Sequence, residues 1–293
     1  MFDIFGGKDP QKALQRAHEY IKEGKVSSAI KVLADNLTEG EESFDLYLEL
    51  AKLYCETEER GRAVELIRHV QALVPSRTDE IVAVLSDLFY RRSTIDIGDL
   101  LLQLYVARQQ YEDLAKVLRA FSEREIKLLL TRYEKLKQFI AEKKVLAKKD
   151  VENILILSTI YFFLQESKNA VWVIEPVIGV DAFSGHLIGW ARTIARERFN
   201  DPYAALLLLK TYAANRQFDE VMTQAQRILE KFQDFIDPLI EVIAQLHPPK
   251  ELEFSFSQFL TDLYVKKGNL DASIERLQEL LKRDTGKADD VIK

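Results

Sequence analysis

The chain has 293 residues, 47% of them hydrophobic, with 41 Lys and Arg against 47 Asp and Glu and a formal net charge of −6. That apolar content suffices to bury a large core, and the acidic balance works against phosphate binding, so nucleic acid is excluded as the expected partner. The lone cysteine, Cys55, excludes an internal disulfide and fits a reducing interior.

The opening Met1-Phe2-Asp3-Ile4-Phe5-Gly6-Gly7 has neither the basic start nor the apolar run of a signal peptide, so a cytoplasmic location is expected. Gly6, Gly7 and Lys8 fail as a phosphate loop, because Asp9 stands where Ser or Thr is needed and no strand precedes them. Further on, Ala17, Tyr20 and Ala29 return 34 residues later as Ala51, Tyr54 and Ala63. A fixed period of this length marks helical hairpins, each needing a neighbour to cover its apolar face. The same ruler lands on Leu88 and Phe121, then, after an insertion, on Tyr161, and near Ala195, Leu229 and Tyr264. A small residue stands nine positions beyond most anchors, at Ala29, Ala63, Ala170, Ala204 and Ser273. Apolar residues in 46–54 and 81–89 recur at three- and four-residue steps, which predicts helices, and no stretch reads as a strand. Gly24 and Gly268 fall between paired helices, and Pro75, Pro202, Pro248 and Pro249 between units.

The residues Tyr47, Leu50, Ala51, Tyr54, Ala63, Ile67 and Pro75 resemble a tetratricopeptide repeat, as do Ile154, Leu157, Ser158, Tyr161, Ala170 and Ile174, and Leu260, Thr261, Tyr264, Gly268, Ser273 and Leu277. The resemblance implies an all-α fold, a right-handed α-α superhelix of about 16 antiparallel helices in about eight hairpins. It would run as one array over 9–285, with tails at 1–8 and 286–293. Such a protein is expected to be a non-enzymatic scaffold or adaptor that holds a partner segment in the concave face of the array.

Between Phe121 and Tyr161 the step grows to 40 residues, and 123–148 holds no Gly or Pro, which predicts a second helix extended by nearly two turns. From Arg119 to Lys149 ten Lys or Arg face four Glu, a net of +6, leaving −12 for the rest. Arg132, Lys135, Lys137, Lys143, Lys144, Lys148 and Lys149 form this basic patch, read first as a solvated helix face. The longest uncharged stretch, 153–165, is 13 residues, where a bilayer crossing needs about 20, so no membrane span is expected.

No reactive constellation stands out. His18, His69, His186 and His247 are scattered without a second ligand one turn away, so neither a metal nor another cofactor is expected. Ser184 beside His186 reads as a helix cap, because no nucleophile elbow accompanies it. The inward positions implied by the resemblance give Leu48, Lys52, Val82, Phe89, Tyr90, Leu155, Thr159, Phe162 and Phe163 as the protein-binding groove. His18, Lys52, Ser86, Arg119 and Thr159 stand where family members carry the Lys and Asn of a carboxylate clamp, and no Asn is among them. The expected partner is therefore a segment with apolar anchors set against Phe89, Tyr90, Phe162 and Phe163. Packing of those aromatics between repeats is the competing expectation. Two further readings stay open: a concealed enzyme or regulatory site near His186 and Trp190, and self-association through terminal repeats, with the helix at 270–281 as the edge.

Overall fold

A computed structural model describes residues 9–92, 94–138 and 147–283. It divides into two compact units, Met1–Leu129 and Leu130–Lys293. The first holds α1 (Pro10–Lys22), α2 (Val26–Asp35), α3 (Phe44–Glu56), α4 (Arg60–Leu73), α5 (Thr78–Arg91), α6 (Ile95–Ala107), α7 (Tyr111–Ala120) and most of α8 (Glu123–Tyr133). The second holds α9 (Lys148–Phe163), α10 (Ser167–Ile174), α11 (Ser184–Glu197), α12 (Pro202–Ala214), α13 (Phe218–Lys231), α14 (Ile236–Ala244), α15 (Lys250–Lys267) and α16 (Leu270–Arg283). The fold is all-α: no strand occurs among the described residues, and none of their helices is alone long and apolar enough to cross a membrane.

One local device makes the hairpins. After Tyr20, Tyr54, Tyr105, Tyr161, Tyr212 and Tyr264 the chain turns through a left-handed residue four positions on: Gly24, Glu58, Gln109, Gln165, Arg216 and Gly268, with φ between 55° and 79°. In each turn the tyrosine carbonyl accepts from the amide five residues later, at 2.8–3.0 Å, from Lys25, Glu59, Gln110, Glu166, Gln217 and Asn269. The left-handed residue's own amide donates one position inside that bond, for example Gly24 to Ile21 at 3.0 Å and Gln109 to Val106 at 3.0 Å. This paired 6→1 and 5→2 bonding satisfies carbonyls that a helix end leaves open and sends the chain straight back. The next helix starts six residues after the tyrosine every time.

These turns correct the ruler. The tyrosines are 34 residues apart only once, from Tyr20 to Tyr54; the later steps, to Tyr105, Tyr161, Tyr212 and Tyr264, are 51, 56, 51 and 52. A third helix fills each longer step: α5, α8, α11 and α14. The equivalent anchors in the middle of the chain are thus Tyr105 and Tyr212, and not Leu88, Phe121, Ala195 or Leu229. Nine residues past the tyrosine stand Ala29, Ala63, Leu114, Ala170, Val221 and Ser273, all buried, so that position meets its partner helix whether it is small or not.

Within the first unit α1, α3 and α5 pack side by side, as do α4 and α6; within the second, α9 packs on α11, α10 on α12 and α12 on α14. Ala13, Ala17, Ala29, Leu33, Leu46, Leu50 and Leu53 form the core that joins the first three helices. In the second unit Ser158 donates to the Ala170 carbonyl at 2.8 Å inside the α9–α10 pair. Asp9 and Asp201, each followed by a proline at the first helical position, cap α1 and α12 by accepting from backbone amides. Ser184, expected as a cap, lies first inside α11 and makes no capping bond.

The expected long helix at 123–148 is interrupted. Ser122 and Glu125 close a capping box that starts α8, with Ser122 N–H to Glu125 Oε2 at 2.8 Å. The helix ends at Tyr133, and a turn at Glu134 and Lys135 follows. Helix propensity favours continuation there, but the turn seats Tyr133 in the core and brings Lys137 Nζ 4.6 Å from the Tyr161 ring centre, tertiary contacts that propensity does not register. Residues 139–146, with Lys143 and Lys144, lie outside the described residues.

Candidate protein-docking surfaces

The predicted groove residues separate into two sets. Leu48, Phe89, Leu155, Thr159 and Phe162 are buried, which corrects their assignment to an accessible groove. Phe89 packs edge to face on Phe121 with centroids 5.1 Å apart. Thr159 Oγ donates to the Leu155 carbonyl at 2.6 Å and accepts from Trp190 Nε1 at 2.9 Å. The cause for Phe89 is the register: α5 is a third helix, so its inward positions do not follow the 34-residue rule. Val82 and Phe163 are half-buried.

Lys52 and Tyr90 reach solvent, and with His18 they lie on the side-by-side helices α3, α5 and α1. His18 Nε2 is 3.5 Å from Glu49 Oε1, and Lys52 Nζ is 2.9 Å from Glu49 Oε2, so one carboxylate links two helices. Ser86 Oγ is held at 2.8 Å from the Tyr105 hydroxyl. Tyr90 is 57% exposed and rests its ring edge to face on buried Phe89, with centroids 5.2 Å apart. Partial burial of that ring pushes its hydroxyl above the usual phenol range.

The described part of the basic patch spends much of its charge internally. Lys148 and Lys149 both face Glu152, at 3.9 and 3.6 Å, and Lys137 pairs with Glu134 at 3.4 Å. Arg132 and Lys135 are exposed. Trp190, proposed to accompany His186 in a concealed site, is fully buried and ties α11 to α9 through Thr159. No group of three or more His, Cys, Asp or Glu among the described residues is arranged to hold a metal. Burial pushes the Cys55 thiol up to about 11, which keeps it protonated and unreactive at neutral pH.

Sequence reasoning missed a cleft of about 350 Å³ between α11, α12 and α13. Leu208, Tyr212 and Ile228 form its buried floor. Exposed Arg192, Arg196, Arg227 and Lys231 surround it, and Phe199, 64% exposed, stands at one end. Arg192 Nε donates to the Tyr212 hydroxyl at 3.0 Å, while Lys231 sits 4.6 Å from the Phe199 ring centre and donates to the Phe199 carbonyl. Gln224 Nε2 bonds the Ala205 carbonyl at 3.2 Å, holding α13 against α12.

No family model matches the sequence, and no curated protein matches it. Solved structures do. The chain is similar to tetratricopeptide repeat proteins. One, from Parabacteroides merdae, aligns at 11% identity and a TM-score of 0.23, covering 94% of this chain and 80% of that one. An assembly chaperone of RpL4, Acl4, aligns at 15% identity and a TM-score of 0.24, covering 94% and 91%. Yeast Tom70 aligns at 10% identity and a TM-score of 0.21, covering 94% and 76%.

Proposed function

We propose that the protein is a non-enzymatic interaction scaffold that holds a partner segment against α1, α3 and α5 of the first unit. The observation that carries this reading is a pair of accessible features on side-by-side helices: the His18, Glu49 and Lys52 cluster that joins α1 to α3, and exposed Tyr90 on α5. Tyrosine offers a large amphipathic contact at small entropic cost, and Lys52 gives orientation. Val82, half-buried two turns before Tyr90 on α5, adds apolar contact. The partner is a protein segment with an apolar anchor for Tyr90.

The test compares proteins retained from native extract by the intact chain and by the variant Lys52→Glu with Tyr90→Ala. Both positions reach solvent, so the variant keeps its helical circular dichroism. Loss of a defined set of partners in the variant is the expected result, and an unchanged set overturns the reading.

A second reading, self-association through α16, is favoured by Leu270 and Ile274, one turn apart and 60% and 52% exposed. Light scattering over a concentration series, with Leu270→Glu and Ile274→Glu, tests it: a dimer that these changes dissolve supports it, and a monomer throughout overturns it.

A further inference from the structure

We infer that the cleft between α11, α12 and α13 is a second docking site, built for an acidic protein segment that carries an aromatic or aliphatic residue. It lies on residues other than those of the first-unit surface, so either proposal can fail alone.

The charge comes from helix geometry. Arg192 and Arg196 are one turn apart on α11, and Arg227 and Lys231 one turn apart on α13, so each pair shares a helix face. Both faces border the same cleft, floored by α12 together with Ile228 of α13. Among the described residues, the twelve that line it include these four cations and no carboxylate. Two of the cations are held in place by uncharged groups: Arg192 by the Tyr212 hydroxyl, and Lys231 by the Phe199 carbonyl and ring. Their positive charge is thus positioned without being neutralised, in a chain whose net charge is −6. Carboxylates of an extended segment would meet a guanidinium on either wall, and guanidinium forks suit that geometry. The floor of Leu208, Tyr212 and Ile228, with Phe199 at the end, offers contact for one apolar side chain. A volume of about 350 Å³ admits a few side chains. An acidic protein segment fits better than a nucleic-acid backbone because the buried apolar floor takes an aliphatic or aromatic side chain between the cations.

The probe is a short fluorescein-labelled peptide of Asp and Glu around a central Phe, followed by anisotropy on the full chain. A control peptide has Lys in place of every Asp and Glu. The acidic peptide is expected to bind, to weaken as salt rises, and to lose at least about tenfold in affinity with Arg192→Glu and Arg227→Glu together. Phe199→Ala should weaken it further without changing the salt dependence. All three side chains are exposed, and circular dichroism confirms that the variants stay folded. No binding of the acidic peptide, equal binding of the Lys peptide, unchanged affinity in the double variant, or tighter binding of single-stranded RNA in competition would each overturn the proposal.

Discussion

Phe89 and Phe121 meet edge to face over the bare Cα of Gly98, their ring centroids 5.1 Å apart. A Cβ on Gly98 would collide with the Phe121 ring and lie 2.9 Å from Phe89 Cε2, and both rings are buried. Alanine gains about 1 kcal/mol over glycine inside a helix, but two confined rings cannot yield the space. Gly98→Ala should therefore destabilise by about 1–3 kcal/mol, read as a lower urea midpoint at unchanged slope.

Four of the six hairpin turns hold a side chain in the left-handed region, at Glu58, Gln109, Gln165 and Arg216. That conformation costs a non-glycine residue about 1–2 kcal/mol, against about 0.5–1 kcal/mol of extra chain entropy lost by glycine. Glu58→Gly and Arg216→Gly should each stabilise by about 0.5–1 kcal/mol. Gly24→Ala has the opposite sign: no atom lies within 4 Å of its added Cβ, so the loss of about 1 kcal/mol comes from φ alone. Thermal melts of the three variants check the pattern of signs.

Trp190 donates its only N–H to Thr159 inside the second unit. Thr159→Val keeps the shape and removes the acceptor, leaving a buried donor unsatisfied at a cost of about 1–3 kcal/mol, while Thr159→Ser should retain most of the stability. The chain has two tryptophans, and Trp172 is 51% exposed, so a Trp172→Phe background isolates the Trp190 emission. In that background emission should be blue-shifted and resistant to iodide.

Burial raises the Cys55 thiol from 9.0 to about 11. At pH 8 the thiolate fraction in the folded protein should be on the order of a hundredfold below that of the unfolded chain, and disulfide-reagent labelling should be slower at least in that proportion. The unfolded chain releases this proton first. Stability should therefore decline as pH climbs from about 9 towards 11, a decline that Cys55→Ala lessens and that the raised Tyr47 and Tyr90 hydroxyls share.

The helical class, and four of the six tyrosine anchors, were legible because apolar spacing and the small residue nine positions on are local signals. Tyr105 and Tyr212 were not, since Leu114 and Val221 occupy that later position and a third helix lengthens the step. Extending the 34-residue rule past Tyr54 then placed Phe89 on an accessible face, whereas the fold turns it inward onto Phe121. Tyr90, one residue along, did emerge into solvent. The cleft was hidden for another reason: its cations come from two helices and are interleaved with Glu197 and Glu230, so no basic run appears. The i, i+4 pairs of Arg192 with Arg196 and of Arg227 with Lys231 were the available signal.

Each of the six turns is closed by a main-chain bond to its tyrosine carbonyl, which has a consequence for local opening. The amides of Lys25, Glu59, Gln110, Glu166, Gln217 and Asn269 sit between helices, where rapid hydrogen exchange is the ordinary expectation, yet each is donated to a tyrosine carbonyl. They should exchange only when the helix before them frays, so deuterium uptake at these connections should track that of the flanking helical ends.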